Sequence, residues 1–254
     1  MKVTLNSISG IDDAICSIYI SKGNLTEELE AEIRDEIFNN TDRNGFLLCR
    51  NNPELYADWV VATIGNRFSA MLRIGKKHIT VLRYIDLSFT IRDLHRGAQD
   101  DLDAHAQRFN NRIIRSSSRL AGVVPGAKSD YYKNKILTLD EALAMIGFEV
   151  PTEITLGTDV YVKTINGYIK KEYADKNNKE HNDVERGLFM LSVPSNCIVR
   201  CNLCEFAHVY KMRNKDTHAN PELKECIESL TSQVASALGF TQDGMRDYLM
   251  EIPN

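Results

Sequence analysis

The chain lacks both a long apolar segment and an excess of positive charge. Its longest apolar run near the start, residues 14–20, is too short to cross a bilayer and follows no basic leader. We therefore expect neither a signal peptide nor a transmembrane helix. The formal net charge is -4. Because no general positive field attracts nucleic acid or a membrane surface, we expect neither as a partner, and a nucleotide would need a local cluster of donors.

Internal repeats, low-complexity segments and a glycine-rich phosphate-binding fingerprint are also missing from the sequence. The sequence therefore predicts neither a repeat architecture nor a glycine loop that binds phosphate. With 254 residues and 43% hydrophobic content, the chain can bury a sizeable core. We expect one large domain, or one domain that carries an insertion.

Six cysteines occur without a secretion signal, which predicts reduced thiols in a cytoplasmic protein. Three of them, Cys197, Cys201 and Cys204, have the C-x3-C-x2-C spacing with which radical S-adenosylmethionine enzymes hold an iron–sulfur cluster. That motif normally opens a long barrel domain, whereas only 50 residues follow Cys204. The position of the motif therefore argues against a cluster.

Adding His208 to these cysteines gives four possible zinc ligands, at steps of four, three and four residues. On one continuous helix they would form a stripe about 16 Å long, which is too extended for a tetrahedral zinc site. We therefore expect no metal, and we interpret the three cysteines as small side chains along a packed helix face.

Local patterns predict several elements elsewhere in the chain. Residues 78–92 alternate between apolar and polar side chains, which predicts a long half-buried strand. Asn24 is placed to cap one helix and Thr138 to cap another. The Asn-Gly pair at residues 166–167, between β-forming residues, predicts a hairpin.

The segment 202–222 carries the clearest indication of a functional site. Asn202, His208 and Arg213 are separated by six and five residues. The apolar residues between them recur at three- and four-residue steps, as in an amphipathic helix, so the polar side chains need not face the core. A short polar link follows, and Pro221 lies near the first turn of a second predicted helix.

This segment resembles the flavin-dependent thymidylate synthases, in which a helix reading N-x-R-S-x-x-(H/N)-F-L-x-L-R precedes D-S-H-A-Q-x-E-I. The matching residues in this sequence are Asn202, His208, Arg213, Asp216, Thr217, His218, Ala219, Asn220, Glu222 and Leu223. The family also carries an arginine sixteen residues before the asparagine, and Arg186 occupies that position without a gap. Cys204 stands where the family usually has an arginine that contacts the flavin.

A second signature of the family, R-H-R-x-x-S followed by N-E-x-S-x-R-Y, is partly present. Ser117 and Arg119 occupy the S-x-R positions, while R-H-R has no intact copy. Either His105 or the pair Gln107 and Arg108 could take the place of R-H-R, depending on where a short insertion falls. The chain thus resembles a divergent member of the family.

The resemblance implies an α/β (α+β) fold with a mixed sheet and flanking helices. It implies a single domain over residues 1–254, with a variable insertion around 122–183, and a homotetramer with composite sites at subunit contacts. The family's reaction is the reductive methylation of dUMP to dTMP, with methylenetetrahydrofolate as carbon donor, FAD as mediator and NADPH as reductant. Two alternatives stay open, namely one-carbon transfer to another pyrimidine nucleotide and non-catalytic binding of a nucleotide.

The resemblance also assigns a role to each candidate residue. Arg213 would activate the uracil ring by stabilising negative charge that develops on it. The phosphate of the pyrimidine nucleotide monophosphate would be held by Arg186, Ser117 and Arg119. The flavin would be contacted by Asn202, His208, His105 and Arg108. The competing interpretation is that the arginines are ordinary surface residues. The charged stretch around residues 95–115 either binds an anion or forms salt bridges between neighbouring side chains along one helix.

Overall fold

The computed structural model describes residues 1–103, 112–115, 127–164, 167–178, 181–188, 191–215 and 219–253. These residues fall into two compact units. The larger unit contains the described residues of Lys2–Ile91, Asp101–Ile114 and Ile198–Asn254. The smaller unit contains Met1 and the described residues of Arg92–Asp100 and Arg115–Cys197. The proposal of a single domain with an insertion around 122–183 stays a prediction.

The strands of the described ranges form two sheets. They are β1 (Lys2–Ser9), β2 (Asp86–His95), β3 (Arg112–Arg115), β4 (Glu153–Leu156), β5 (Asp159–Thr164), β6 (Gly167–Lys170) and β7 (Pro194–Asn202). One sheet has the strand order β1-β2-β7-β3, and the other has the order β4-β5-β6. The predicted hairpin is confirmed, because β5 and β6 pair antiparallel with Thr164 opposite Gly167. Asn166 of the predicted turn lies outside the described residues.

Helices account for most of the remaining regular structure. They are α1 (Ile11–Ser21), α2 (Glu27–Asn40), α3 (Pro53–Val61), α4 (Thr63–Gly75), α5 (Arg96–Asp103), α6 (Leu139–Met145), α7 (Lys171–Ala174), α8 (His181–Arg186), α9 (Leu203–Lys215), α10 (Pro221–Ala237) and α11 (Gln242–Glu251). Short 3-10 turns occupy Leu48–Asn51 and Val81–Tyr84. The expected combination of sheets and helices in one chain is confirmed. In the part of the chain that is described, no helix is both long and apolar enough to cross a membrane.

The strand predicted over residues 78–92 is wrong in its first half. Val81–Tyr84 forms a 3-10 turn, and β2 begins only at Asp86. The reason is that Val81 and Leu82 are both buried, although they are consecutive, and a helical turn can bury neighbours that a strand would send to opposite faces. Strict alternation begins afterwards, with Leu87 and Phe89 in the core.

Helix caps decide where several of these helices begin. Thr138 caps α6 in a full capping box with Glu141, as predicted. The cap predicted at Asn24 is wrong, because the Thr26 side chain accepts a hydrogen bond from Leu29 N at 3.2 Å and starts α2 two residues later. The second helix of the motif segment is confirmed, since Asn220 caps α10 and Pro221 is its first residue.

The three clustered cysteines do not lie on one helix, so the predicted helical stripe is wrong. Cys197 and Cys201 belong to β7, and Cys204 belongs to α9. Alternate residues of β7 face inward, which buries both strand cysteines, and Cys204 is buried as well. Among the described residues, no group of three or more His, Cys, Asp or Glu side chains could hold a metal ion.

Gly10 connects β1 to α1 in the larger unit and has no room for a side chain. Its φ is 79°, in the left-handed region, and a Cβ there would lie 2.0 Å from the carbonyl oxygen of Tyr84. The close approach packs the start of α1 against the 3-10 turn Val81–Tyr84. Gly23 has a similar φ of 70°, but a Cβ there would meet no atom within 4 Å.

Candidate functional site

Helix α9 carries two of the predicted site residues, His208 and Arg213, and a third, Asn202, directly precedes it. The first turn of the helix is fixed from two sides. The Leu203 N–H donates to Ile85 O at 2.8 Å, just before β2 begins. The Oδ1 atom of Asn202 accepts a hydrogen bond from Glu205 N at 2.9 Å. Asn202 is therefore the N-cap of α9, a structural role that the motif alone did not indicate.

The helix is buried on nearly all sides, including the polar side chains that the amphipathic pattern did not require to face the core. From Leu203 to Arg213 only Met212 is exposed, at 42%. An acidic side chain and three basic side chains are buried in this stretch, namely Glu205, His208, Lys211 and Arg213. Ionisable groups are costly to bury, and their concentration on one helix is typical of a functional site.

Arg213 lies near the end of α9, and its guanidinium binds the last turn of α5. Its Nη2 atom donates to the backbone carbonyl of Asp101 at 2.7 Å. The final carbonyls of a helix have no partner within the helix, and a cation there is also favoured by the helix dipole. The contact therefore fixes the direction of the guanidinium and stabilises the end of α5.

Lys211 has a structural partner. Its Nζ atom donates to the backbone carbonyl of Ile252, which ties α9 to the chain just after α11. This buried bond accounts for a cation that would otherwise be costly in the core. Lys211 is therefore a weaker candidate for binding a ligand than Arg213.

Glu205 is the functional candidate that sequence reasoning missed. Its side chain is fully buried, and neither carboxylate oxygen has a hydrogen-bond partner in the described part of the chain. Burial, with a smaller contribution from the Asp86 carboxylate, raises the pKa of Glu205 to about 8. The only available signal was an acidic residue inside the otherwise apolar run from Leu203 to Phe206. Glu205 is thus protonated at neutral pH and can act as a neutral donor.

The spacing along α9 limits what one ligand can touch. Asn202 and Arg213 are eleven residues apart, which corresponds to about 16 Å along a helix axis. One pyrimidine nucleotide is too small to reach both ends. His208 lies between them and is buried. The helix can therefore serve two ligands placed along its length.

The other predicted site residues are not brought to this helix by the described structure. Ser117, Arg119, His105 and Arg108 lie outside the described residues. Arg186 is the last residue of α8, in the smaller unit, and its side chain is not described. The assignment of these five residues to phosphate and flavin stays a prediction.

Comparison with known proteins rests on structure. No protein-family model and no curated protein sequence matches the chain. The crystal structure of the flavin-dependent thymidylate synthase ThyX from Helicobacter pylori, complexed with FAD and dUMP, is similar over 100% of both chains, with 13% identity and a TM-score of 0.50. The UMP/dUMP methylase PolB from Streptomyces cacaoi, bound with 5-Br dUMP, is similar over 99% of this chain and 97% of that chain, with 14% identity and a TM-score of 0.53. The expected fold, that of the flavin-dependent thymidylate synthases, is thereby confirmed.

Proposed function

We propose that this protein is a flavin-dependent methyltransferase that converts dUMP to dTMP. One observation carries the proposal. In a chain with this fold, the three residues that match the family's helix motif, Asn202, His208 and Arg213, lie on or cap a single buried helix. Fold alone does not define a reaction, and these residues supply the chemistry.

The groups on α9 suit the ring of a flavin. The Oδ1 atom of Asn202 is used by the helix, which leaves its amide nitrogen as a donor. His208 adds an imidazole about two turns further along. Hydrogen-bond donors match the oxygen and nitrogen acceptors of the flavin ring. FAD would mediate the transfer of a one-carbon unit from methylenetetrahydrofolate, with NADPH as the reductant.

Arg213 is the proposed catalytic residue for the nucleotide. Its guanidinium is oriented by Asp101 O, so its charge needs little rearrangement when a substrate binds. A positive charge beside the uracil ring would stabilise the negative charge that develops there during reaction. Arg186, Ser117 and Arg119 are the proposed phosphate ligands, because guanidinium and hydroxyl donors suit that group.

The assembly and location of the protein belong to the same proposal. A homotetramer would let residues of neighbouring subunits complete each site, and light scattering on the purified protein would measure its mass.

All six cysteines are buried thiols, which supports a reducing compartment such as the cytoplasm.

Binding of FAD separates the proposed enzyme from a non-catalytic homologue. We expect the purified protein to be yellow, or to regain the visible absorption band of bound flavin when the apoprotein is incubated with FAD. His208→Ala should weaken FAD by about 1.5 to 3 kcal/mol if the imidazole donates to it. His78→Ala, at an exposed histidine, is the control and should leave FAD binding unchanged. A colourless protein that does not bind FAD at high micromolar concentration would favour the non-catalytic alternative.

Binding of dUMP tests the role of Arg213. We expect calorimetry to show that Arg213→Ala weakens dUMP by about 1.5 to 3 kcal/mol, the contribution of a hydrogen bond to a charged group. Because the same side chain caps α5, thermal unfolding is measured first, and Arg213→Lys retains the charge. Arg246→Ala removes an arginine of α11 that pairs with Glu228, and dUMP affinity should not change. Equal dUMP affinity in the wild type and Arg213→Ala would exclude Arg213 from the site.

A second candidate substrate is UMP. It is favoured by the similarity to the methylase PolB, which acts on UMP as well as dUMP. Titration of the protein with dUMP, UMP and dCMP under one set of conditions compares the candidates directly. Tighter binding of UMP would move the proposal to a sister reaction on that nucleotide.

A further inference from the structure

A cavity in the larger unit is walled by aromatic side chains and is separate from α9. Its volume is about 270 Å³. The aromatic residues that line it are Tyr56, Trp59, Phe68, Phe240 and Tyr248. They come from α3, α4, α11 and the short connection between α10 and α11. None of them belongs to the proposed flavin and nucleotide residues.

The aromatic rings hold one another at contact distance. The ring centroids of Trp59 and Phe68 are 5.3 Å apart in an edge-on arrangement, and Tyr56 stacks on Trp59 at 6.1 Å. The ring centroids of Phe240 and Tyr248, which line the same cavity, lie 5.8 Å apart. Such walls present flat apolar surfaces, which favour a planar aromatic occupant.

Two further contacts make the walls rigid. The Tyr248 hydroxyl donates to Leu72 O at 3.1 Å, which fixes the ring against α4. Gly239 lies so close to Tyr56 that a Cβ at that position would be 2.4 Å from the ring. A preformed cavity binds with little ordering cost.

The charge at the cavity is positive on balance. Lys76 pairs with Glu251 and lies over the Tyr248 ring, so its charge is largely compensated. Arg73 lines the same cavity, is exposed, and makes no hydrogen bond or ion pair with any other described residue. An available guanidinium at the edge of an aromatic cavity suits a carboxylate.

Aromatic walls and an available guanidinium at their edge together suit one planar ring that carries a carboxylate.

We propose that this cavity binds a small aromatic carboxylate, with the ring between the aromatic walls and the carboxylate on Arg73. The volume is slightly below the usual range for ligand pockets, about 300 to 1,000 Å³, and it accommodates one ring. The site is independent of the proposed methyltransferase function, because it shares no residue with it.

Trp59 provides a direct measurement, since it is the only tryptophan in the chain. The full-length protein is titrated with 4-hydroxybenzoate while tryptophan fluorescence is followed, and calorimetry measures the same binding. We expect saturable binding with a submillimolar dissociation constant, and binding of cyclohexanecarboxylate should be about ten-fold weaker because its ring is not planar. Absence of saturable binding of 4-hydroxybenzoate would overturn the proposal.

Variants test the position of the ligand. Arg73→Met should weaken 4-hydroxybenzoate about ten-fold by removing a charged hydrogen bond, whereas Lys77→Met, at an exposed neighbouring lysine, should leave it unchanged. Ser69→Phe, at an exposed lining position, should fill the cavity and abolish binding while dUMP affinity stays at the wild-type value. Unchanged binding of 4-hydroxybenzoate in Ser69→Phe, with the fold intact by circular dichroism, would place the ligand elsewhere and refute the proposal.

Discussion

The variant Glu205→Gln is expected to lose the contribution of Glu205 to the dependence of folding stability on pH between about 4.5 and 8. Burial raises the pKa of Glu205 from its usual 4.5 to about 8, so the folded state holds this proton more tightly than the unfolded state does. The contribution to the free energy of unfolding is therefore fully present below pH 4.5. It decreases as pH rises and is lost above about pH 8.

Glu205 alone should contribute roughly 5 kcal/mol to this change in the wild type, at 1.36 kcal/mol for each unit of pKa shift. Glutamine keeps the shape of the protonated acid and does not titrate, so stability should fall less steeply with rising pH in this window than it does in the wild type. Urea unfolding at a series of pH values measures how the free energy of unfolding changes with pH. Glu225→Gln, at an exposed position on α10, is the control and should keep the wild-type slope. Equal slopes in Glu205→Gln and the wild type would show that Glu205 does not hold a proton in the folded state.

The second large effect is expected for Gly10→Ala. The new Cβ would lie 2.0 Å from Tyr84 O, and φ at this position is 79°. Overpacking against a backbone atom and the left-handed conformation of a non-glycine residue together should cost about 3 to 5 kcal/mol. Chemical denaturation of the variant measures the loss.

Gly23→Ala is the matched control for Gly10→Ala. It has the same backbone strain, with φ of 70°, but no neighbouring atom within 4 Å. The expected loss is about 1 kcal/mol, from the backbone conformation alone. Similar losses in the two variants would show that the close approach to Tyr84 is relaxed at little cost. Because Ile85 O holds the first N–H of α9, a shift at Tyr84 should also weaken dUMP binding in Gly10→Ala.

Local signals explain what could be predicted from the sequence. Helices α9 and α10 and the cap at Thr138 were predicted because periodicity and capping residues act over a few positions. The three clustered cysteines were wrongly assigned to one helix because the same local spacing also fits a strand. A step of four residues, as between Cys197 and Cys201, places side chains on one face of a strand as well as of a helix.

Burial could not be predicted in the same way. The apolar pattern of α9 indicated one buried face, yet the helix is enclosed by elements distant in sequence, such as Ile85 before β2 and Ile252 after α11. The partner of Arg213, a backbone carbonyl at Asp101, carries no side-chain signal at all. The high pKa of Glu205 has the same tertiary origin, so this residue could be recognised only in the folded chain.

The hydrogen bond between Asn202 and Glu205 N has a consequence for how this position can vary among related sequences. Aspartate and serine are equally good at starting a helix, but an ionised aspartate offers no donor and serine offers only one, on a shorter side chain than that of asparagine. Relatives that kept only the architecture would be free to carry either of them. Relatives that also use the amide nitrogen on a ligand would be restricted to asparagine. An aspartate at this position would therefore keep the start of the helix and lose the donor.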